Sequence, residues 1–241
     1  MLLALLTSAG TLDGILARLQ EKRDGTDFRA SGRLVRVSGT GERKSYHFAM
    51  RARAFPGEVR LFCEITEPAP ARIRMLLESK AGRASSIQLG HAGDRASRQL
   101  PAENWGQALL ETDFSYEDLM ESHFLWRNQT LVGEKEYGAR RCQVVRSEPG
   151  AADPTHYSSV VSWLDRSILY PVRVEKTQKQ TGVVKEFIYF GLRQSKGIWS
   201  ASQIECKTRG RPGSTLLIIN RGAEKANLDR GAFDAGLLIK P

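Results

Sequence analysis

The 241-residue chain lacks any apolar run long enough to cross a bilayer as a helix. Its three cysteines, Cys63, Cys142 and Cys206, lie far apart and include no Cys-x-x-Cys, which removes zinc-ribbon and thioredoxin-type chemistry. Three buried small hydrophobes describe them best, with one disulfide plus a free thiol as the alternative in an oxidising compartment. The four histidines, His47, His91, His123 and His156, show no metal-ligand spacing. There is no Gly-x-Ser-x-Gly nucleophile elbow. Gly39-Thr40-Gly41 has no third glycine and opens a strand rather than a helix, so it is no nucleotide loop. Lacking a nucleophile with its base or a metal set, the chain is expected not to be an enzyme and to need no cofactor.

What is present is the composition of a globular protein: 41% hydrophobic residues with 26% charged, too apolar for a disordered chain. No interior stretch rich in Pro, Gly and Ser marks a linker. Residues 11–241 therefore read as one domain, of a length that β-sandwiches and barrels reach without dividing. The formal charge of +9 favours acidic partners such as phospholipid headgroups or an acidic protein face. The basic residues are spread over many strands, and no recognition helix, zinc finger or RNP-type pattern accompanies them, so nucleic acid is not expected as a partner. Residues 1–10, apolar and ending in small residues, resemble the back half of a signal peptide without its basic front; a helical turn packed on the fold reads equally well.

Leu12, Ile15, Leu16 and Leu19 recur at helical spacing, with Gly25 as the stop. Beyond them, periodicity turns to that of strands. Phe28 to Val37 and Lys44 to Ala54 flank the turn Ser38 to Glu42, and in the second run Tyr46, Phe48, Met50 and Ala52 share a face. After Pro56-Gly57, Val59, Leu61, Cys63 and Ile65 alternate with Arg60, Phe62 and Glu64. Arg72 to Ser79 and Ala84 to Gly90 continue the meander around a turn at Lys80 to Arg83. Leu100 to Phe124 reads as two short helices, the second opening at Ser115, whose partner three residues on, Asp118, nearly completes a capping box. Strands return from Thr130 to Asn220. About a dozen strands at hairpin spacing predict a mainly β (α+β) fold: a curled antiparallel sheet, or incomplete β-barrel, covered by an N-terminal helix and central helices.

Glu117, Asp118 and Glu121 are expected to form a charged helix surface rather than an acid–base pair. The large apolar side chains are the better candidates for a site. Phe48, Phe62, Met75, Trp105, Phe114, Tyr116, Leu119, Phe124, Trp163, Tyr189 and Trp199 fill the interior of a curled sheet, and line a lipid-binding cavity where the sheet stays half open.

In order, the helix at Leu12 to Leu19, the strand pair from Arg29 to Arg53, Glu58-Val59-Arg60-Leu61-Phe62 before Pro68, and above all Asp113-Phe114-Ser115-Tyr116-Glu117-Asp118-Leu119 resemble the LolA/LolB-like superfamily. Trp163-Leu164-Asp165, Tyr170 to Glu175, Gly197-Ile198-Trp199 and Thr215 to Ile219, ending at Asn227 and Phe233, extend the resemblance over nearly the whole chain, with the outer-membrane lipoprotein-sorting group as the narrower match. The resemblance implies a periplasmic carrier that shields acyl chains of a lipid or lipoprotein in a hydrophobic cavity and moves it between membranes without covalent chemistry. It implies an inner-membrane transporter and an outer-membrane acceptor as partners, transient contact with the membrane surface, and a movable lid. Arg43, Arg51 and Arg53 stand in strands comparable to that of the family's lid-closing arginine. The alternative is an envelope sensor or regulator on the same fold that binds a membrane protein partner.

Overall fold

The structure, a computed structural model, describes residues 10–80, 85–195 and 198–241. The segment read as a signal-peptide remnant and the turn at Lys80 to Arg83 lie almost wholly outside the described residues.

Helix α1 (Leu12–Asp24) begins at Thr11, whose Oγ accepts from the Gly14 N–H at 3.2 Å. It ends at Gly25, whose N–H donates to the Glu21 carbonyl at 3.1 Å. It outruns the apolar repeat by a turn because Lys22 and Arg23 suit its negative end and Gln20 bonds Asp24 at 2.7 Å.

Thirteen strands form one antiparallel sheet in the order β6-β5-β4-β3-β2-β1-β15-β14-β11-β10-β9-β8-β7. Their ranges are β1 (Asp27–Ser38), β2 (Arg43–Phe55), β3 (Glu58–Glu67), β4 (Ile73–Lys80), β5 (Ser86–Gly90), β6 (Arg98–Gln99), β7 (Asn128–Tyr137), β8 (Arg140–Glu148), β9 (Tyr157–Asp165), β10 (Pro171–Gln178), β11 (Val184–Phe190), β14 (Gln203–Thr208) and β15 (Gly213–Glu224). A ribbon of β12 (Arg193–Ser195) and β13 (Ile198–Ser200) stands apart. Among the described residues, the N-terminal meander, β1 to β6, joins the later strands of the sheet only through β1 and β15. There, at a register irregularity, Gly32 lies so close to β15 that a Cβ would sit 1.9 Å from the Ile218 carbonyl oxygen.

Side chains from strands far apart in this order meet in one core. Ile87 and Leu89 of β5 share a cluster with Phe187 of β11 and Val160 of β9. A flat sheet could not bring them together, so the sheet curls. β6 and β7 remain unpaired edges among the described residues, which leaves the barrel incomplete.

The chain from Leu100 to Trp126 crosses the interior of this curl. Helical material is found where two short helices were expected, but as single 3₁₀ turns at Ala102–Asn104, Leu109–Glu111, Tyr116–Leu119 and Ser122–Leu125. Leu110 and Glu111 have φ of 52° and 61°, and Ala108 bridges Ser115, so the backbone folds back on itself around the Leu109–Glu111 turn. That irregular path lets Trp105, Leu109, Phe114, Met120 and Trp126 all enter the core, which one helical stripe would not allow.

α1 closes one end of the curl. Lys22 donates to the carbonyls of Ile168 and Leu169 before β10, and Arg23 donates to Ser79 at the end of β4 at 2.9 Å. Ile15 packs on Val145, Leu164 and Leu169. At the opposite end lie the β1–β2, β10–β11 and β14–β15 turns, near which the crossing segment is tied by Lys44 to Glu111 and by Thr215 to Asp113. On the outside, residues 225–241 run over β2 to β5 and bury Leu228, Phe233 and Leu238 against Phe62 and Leu76. Arginines clasp this tail: Arg51 Nε donates to the Ala232 carbonyl at 2.6 Å, Arg53 to Leu228, and Arg74 to Leu237 at 3.2 Å.

Replacing Phe233, 1% exposed, by Ala is expected to destabilise the protein by about 3–5 kcal/mol, the cost of deleting a buried phenyl group. Chemical denaturation against wild type measures it.

Candidate functional site

Asp113 and Asp118 bind the crossing segment to six strands, and Glu117 binds it to the loop before β9. Asp113 is buried; its carboxylate accepts from Thr215 Oγ at 2.7 Å and Thr208 Oγ at 3.1 Å and pairs with Arg36 at 3.3 Å. Glu117, also buried, accepts from Thr155 Oγ at 2.9 Å and the His156 N–H at 3.1 Å.

Asp118 is the centre of the arrangement. Its fully buried side chain accepts from Lys176 Nζ at 2.9 Å and Lys185 Nζ at 3.0 Å, and from Tyr157 OH at 2.7 Å. The Ser115 N–H and hydroxyl each donate to it at 2.8 Å. The capping partner expected from Ser115 and Asp118 is thus present, with Ser115 as donor. Burial pushes the Asp118 carboxyl up, but the Lys176 and Lys185 ammoniums, the Ser115 N–H and the Tyr157 hydroxyl outweigh it and hold the group well below the usual carboxylate range. Lys185 is desolvated, yet Asp118 raises it. Lys176 also lies over the rings of Phe187 and Tyr157, at 4.8 and 5.3 Å from their centroids.

The expected solvated stripe of Glu117, Asp118 and Glu121 is therefore corrected: two of the three face inward. Alternating charge in β10 and β11 conceals the reason, because Lys176 and Lys185 form the interior-facing cross-strand pair next to that of Val174 and Phe187. A lysine at an apolar face position was the available signal.

The interior has two regions. Near Asp118, Phe48, Met75, Trp105, Phe114, Phe187, Cys206 and Leu217 are buried. Toward the α1 end, the same strand faces continue with half-buried side chains: Ile204 follows Cys206, Ile219 follows Leu217, and Tyr189 follows Phe187. Met50, Leu61 and Leu119 are likewise half-buried. Glu121 marks this region. It is accessible to water, yet surrounding protein desolvates its carboxyl and raises it, with Lys176 opposing. Glu121 acts electrostatically on Tyr170 and Tyr189, whose hydroxyls burial drives up, the first to outside and the second well beyond the ordinary tyrosine range.

Of the residues proposed from sequence to line a cavity, Phe48, Met75, Trp105 and Phe114 are buried in the main cluster, and Tyr116, Leu119 and Tyr189 pack half-buried against it. Phe124 packs beneath α1 with Ile15 and Val145. Trp199 lies half-buried in the β12–β13 ribbon. Phe62 and Trp163 are elsewhere. Strand alternation turns Phe62 outward under the C-terminal tail, and Trp163 outward among Cys142, Val144 and Val172, with Arg173 at 4.7 Å over its ring. Sequence reasoning missed Glu121, Tyr170 and Ile204. Arg51 and Arg53 hold the outer tail, and Arg43 is exposed at the start of β2.

All three cysteines are free and buried, as small hydrophobes would be; burial pushes the Cys63 thiol up to about 12. Among the described residues no cluster has the makeup of a metal site, and no helix is long and apolar enough to cross a membrane.

The model of a family described as "uncharacterized protein" matches residues 58–238. No curated protein sequence matches the chain. A DUF1329 family protein from Desulfovibrio piger is similar in structure, with a TM-score of 0.83 at 16% identity over 93% of this chain and 96% of that one. A candidate outer membrane lipoprotein-sorting protein domain from Vibrio parahaemolyticus gives 0.82 at 16% identity over 92% and 96%. A LolA superfamily protein from Nitrosomonas europaea gives 0.72 at 17% identity over 95% and 99%. The fold is thus the LolA-like curled sheet.

Asp118→Asn leaves two buried ammoniums without their carboxylate and is expected to cost about 3–5 kcal/mol, read by denaturation at neutral pH. Acid adds a second test. Burial, then Lys176, holds the His123 ring well below its ordinary value. The folded ring is neutral, so as pH falls through about 6.5 the unfolded chain takes up the proton and stability drops. Asp118, depressed in the folded state, contributes fully above about pH 4 and is lost as pH falls below that. Stability should decline in two stages on acidification, and His123→Gln should remove the upper one.

Proposed function

We propose that this chain, which belongs to the uncharacterized-protein family matched over residues 58–238 and has the LolA-like fold, is a periplasmic carrier that receives acyl chains of a lipid or lipoprotein in its interior and moves it between membranes. The observation that carries this reading is the graded interior. Strand faces that are sealed at Phe187, Cys206 and Leu217 become water-accessible at Tyr189, Ile204 and Ile219. Apolar surface left accessible inside a curl gains about 0.8 kcal/mol for each CH₂ it removes from water, so an acyl chain is the natural occupant.

No covalent step is needed, only binding and release. The crossing segment is the part whose displacement would open the interior. Its three carboxylates hold it at the Asp118 end, while Leu119 and Glu121 follow on the open side. The inner-membrane transporter and outer-membrane acceptor of such a route would meet this protein at the rim of the curl, and its charge of +9 favours brief contact with anionic membrane surface.

Native mass spectrometry of the purified protein, followed by organic extraction, is expected to show a stoichiometric acyl lipid. A clean protein that also takes up no fluorescent fatty-acid probe would overturn the carrier and favour the sensor reading. Ile204→Glu, which puts a charge on the accessible wall, is expected to weaken probe binding at least about tenfold while far-UV circular dichroism stays that of wild type.

A further inference from the structure

At the end of the curl away from α1, a cavity of about 510 Å³ lies between the crossing segment and the β14–β15 turn, a volume within the range of small-ligand sites. One wall is Arg209-Gly210-Arg211. That wall is fixed, because the Arg209 N–H donates to the Val184 carbonyl at 2.9 Å and the Arg211 N–H to the Thr208 carbonyl at 3.0 Å. Gly106 and Ala108 of the crossing segment form another, and Gly106 packs so closely on His156 that a Cβ would meet its ring at 2.6 Å. Asp113, Thr208 and Lys185 are the buried part of the lining.

Three cations and one carboxylate thus line this cavity. The carboxylate, Asp113, is already matched by Arg36, Thr208 and Thr215. Lys185 is bound to Asp118, and Arg209 shares Glu175 with Arg173. The guanidinium of Arg211 has no partner among the described residues. Gln178 lines the cavity from β10; Thr181 Oγ donates to its side-chain oxygen at 2.8 Å, so its NH₂ is left as a second donor without a partner among the described residues. Donors are therefore in excess, and they come from separate strands. A phosphate suits them, since its oxygens point in several directions and arginine's planar fork matches two of them.

We propose that this cavity is a phosphate-binding site in which Arg211 and Gln178 donate to the phosphate oxygens and Arg209 adds positive charge beside them. The site is independent of the carrier reading, for it needs no acyl chain in the interior. Two sources offer the same chemistry, the phosphodiester of an anionic lipid headgroup and a soluble phosphate ester.

In proton–nitrogen correlation spectra of the whole protein, the Gly106 and Gly210 amides and the Arg209 and Arg211 Nε–H groups report on the cavity, and the Ile204 and Ile219 amides on the interior. The titrants are glycerol phosphate and monomeric dihexanoyl phosphatidylglycerol, with sodium chloride at matched ionic strength as the control. The cavity signals are expected to shift saturably with at least one ester, at a Kd of about 1 mM or tighter, and not with chloride. Arg211→Gln should weaken that binding at least about tenfold, whereas Arg141→Gln, at an exposed arginine of β8, should leave it unchanged. Interior signals in their wild-type positions show that Arg211→Gln is folded. Tighter binding of the lipid supports the site and assigns it to a headgroup; equal or tighter binding of glycerol phosphate supports it and assigns it to the phosphate alone. Cavity signals that move with neither ester, that move equally with chloride, or that titrate unchanged in Arg211→Gln would overturn the site. Lipid that shifts only the interior signals would overturn the headgroup assignment while supporting the carrier.

Discussion

Two ammoniums from neighbouring strands, Lys176 and Lys185, converge on one buried carboxylate from the segment that crosses the interior. Removing charges from water costs several kcal/mol each, and the Coulombic return is large only when geometry is good and remaining lone pairs are filled. Here they are filled, by Tyr157 and by both donors of Ser115. The cluster is therefore a statement about position more than about net stability. An apolar replacement could fill the same volume, but it would not fix which residue of the crossing segment meets β10 and β11.

That fixed point organises what surrounds it. Asp113, five residues earlier, is held by Thr208 and Thr215 on the next strands, so the segment is anchored across β10, β11, β14 and β15. Phe114 packs edge to face on Phe187 at 5.5 Å, which seals the interior around the charges and keeps their dielectric low. Past Asp118 the seal relaxes, and the strands that supplied buried side chains now present Tyr189, Ile204 and Ile219 half-buried. A sheet that is not closed can hold both states along one set of strands. The polar anchor permits this, because it holds the segment without requiring apolar contact along its whole length.

The outer surface follows a different rule. Alternation sends Arg51, Arg53, Phe62 and Arg74 away from the interior, where the arginines donate to carbonyls of the C-terminal tail and Phe62 receives Arg51 at 4.0 Å over its ring. The tail thereby covers apolar positions that a one-sided sheet would leave bare. Much of the chain's basic excess is thus employed in holding backbone carbonyls, which is why the arginines spread over several strands form no single patch.

The helix from Leu12, the alternating strands and the hairpins at Ser38 to Glu42 and Pro56-Gly57 were legible in the sequence, because period and turn chemistry are local. So was the reach of Asp118 back to Ser115, a contact between residues three apart. Alternation even separated Phe62 from Cys63, although hydrophobicity alone placed Phe62 with the cavity candidates. The burial of Glu117 and Asp118 was not legible, since a carboxylate next to a helical turn looks the same whether it meets water or two lysines 58 and 67 residues away. Nor was the graded interior, because accessibility depends on how far thirteen strands curl, and curl is a property of the assembled sheet. By itself the sequence determined element type, face and order, all consequences of local sterics and hydrophobic period. Tertiary structure alone decided which charges lie inside and which apolar faces stay open, because both depend on contacts between distant parts of the chain.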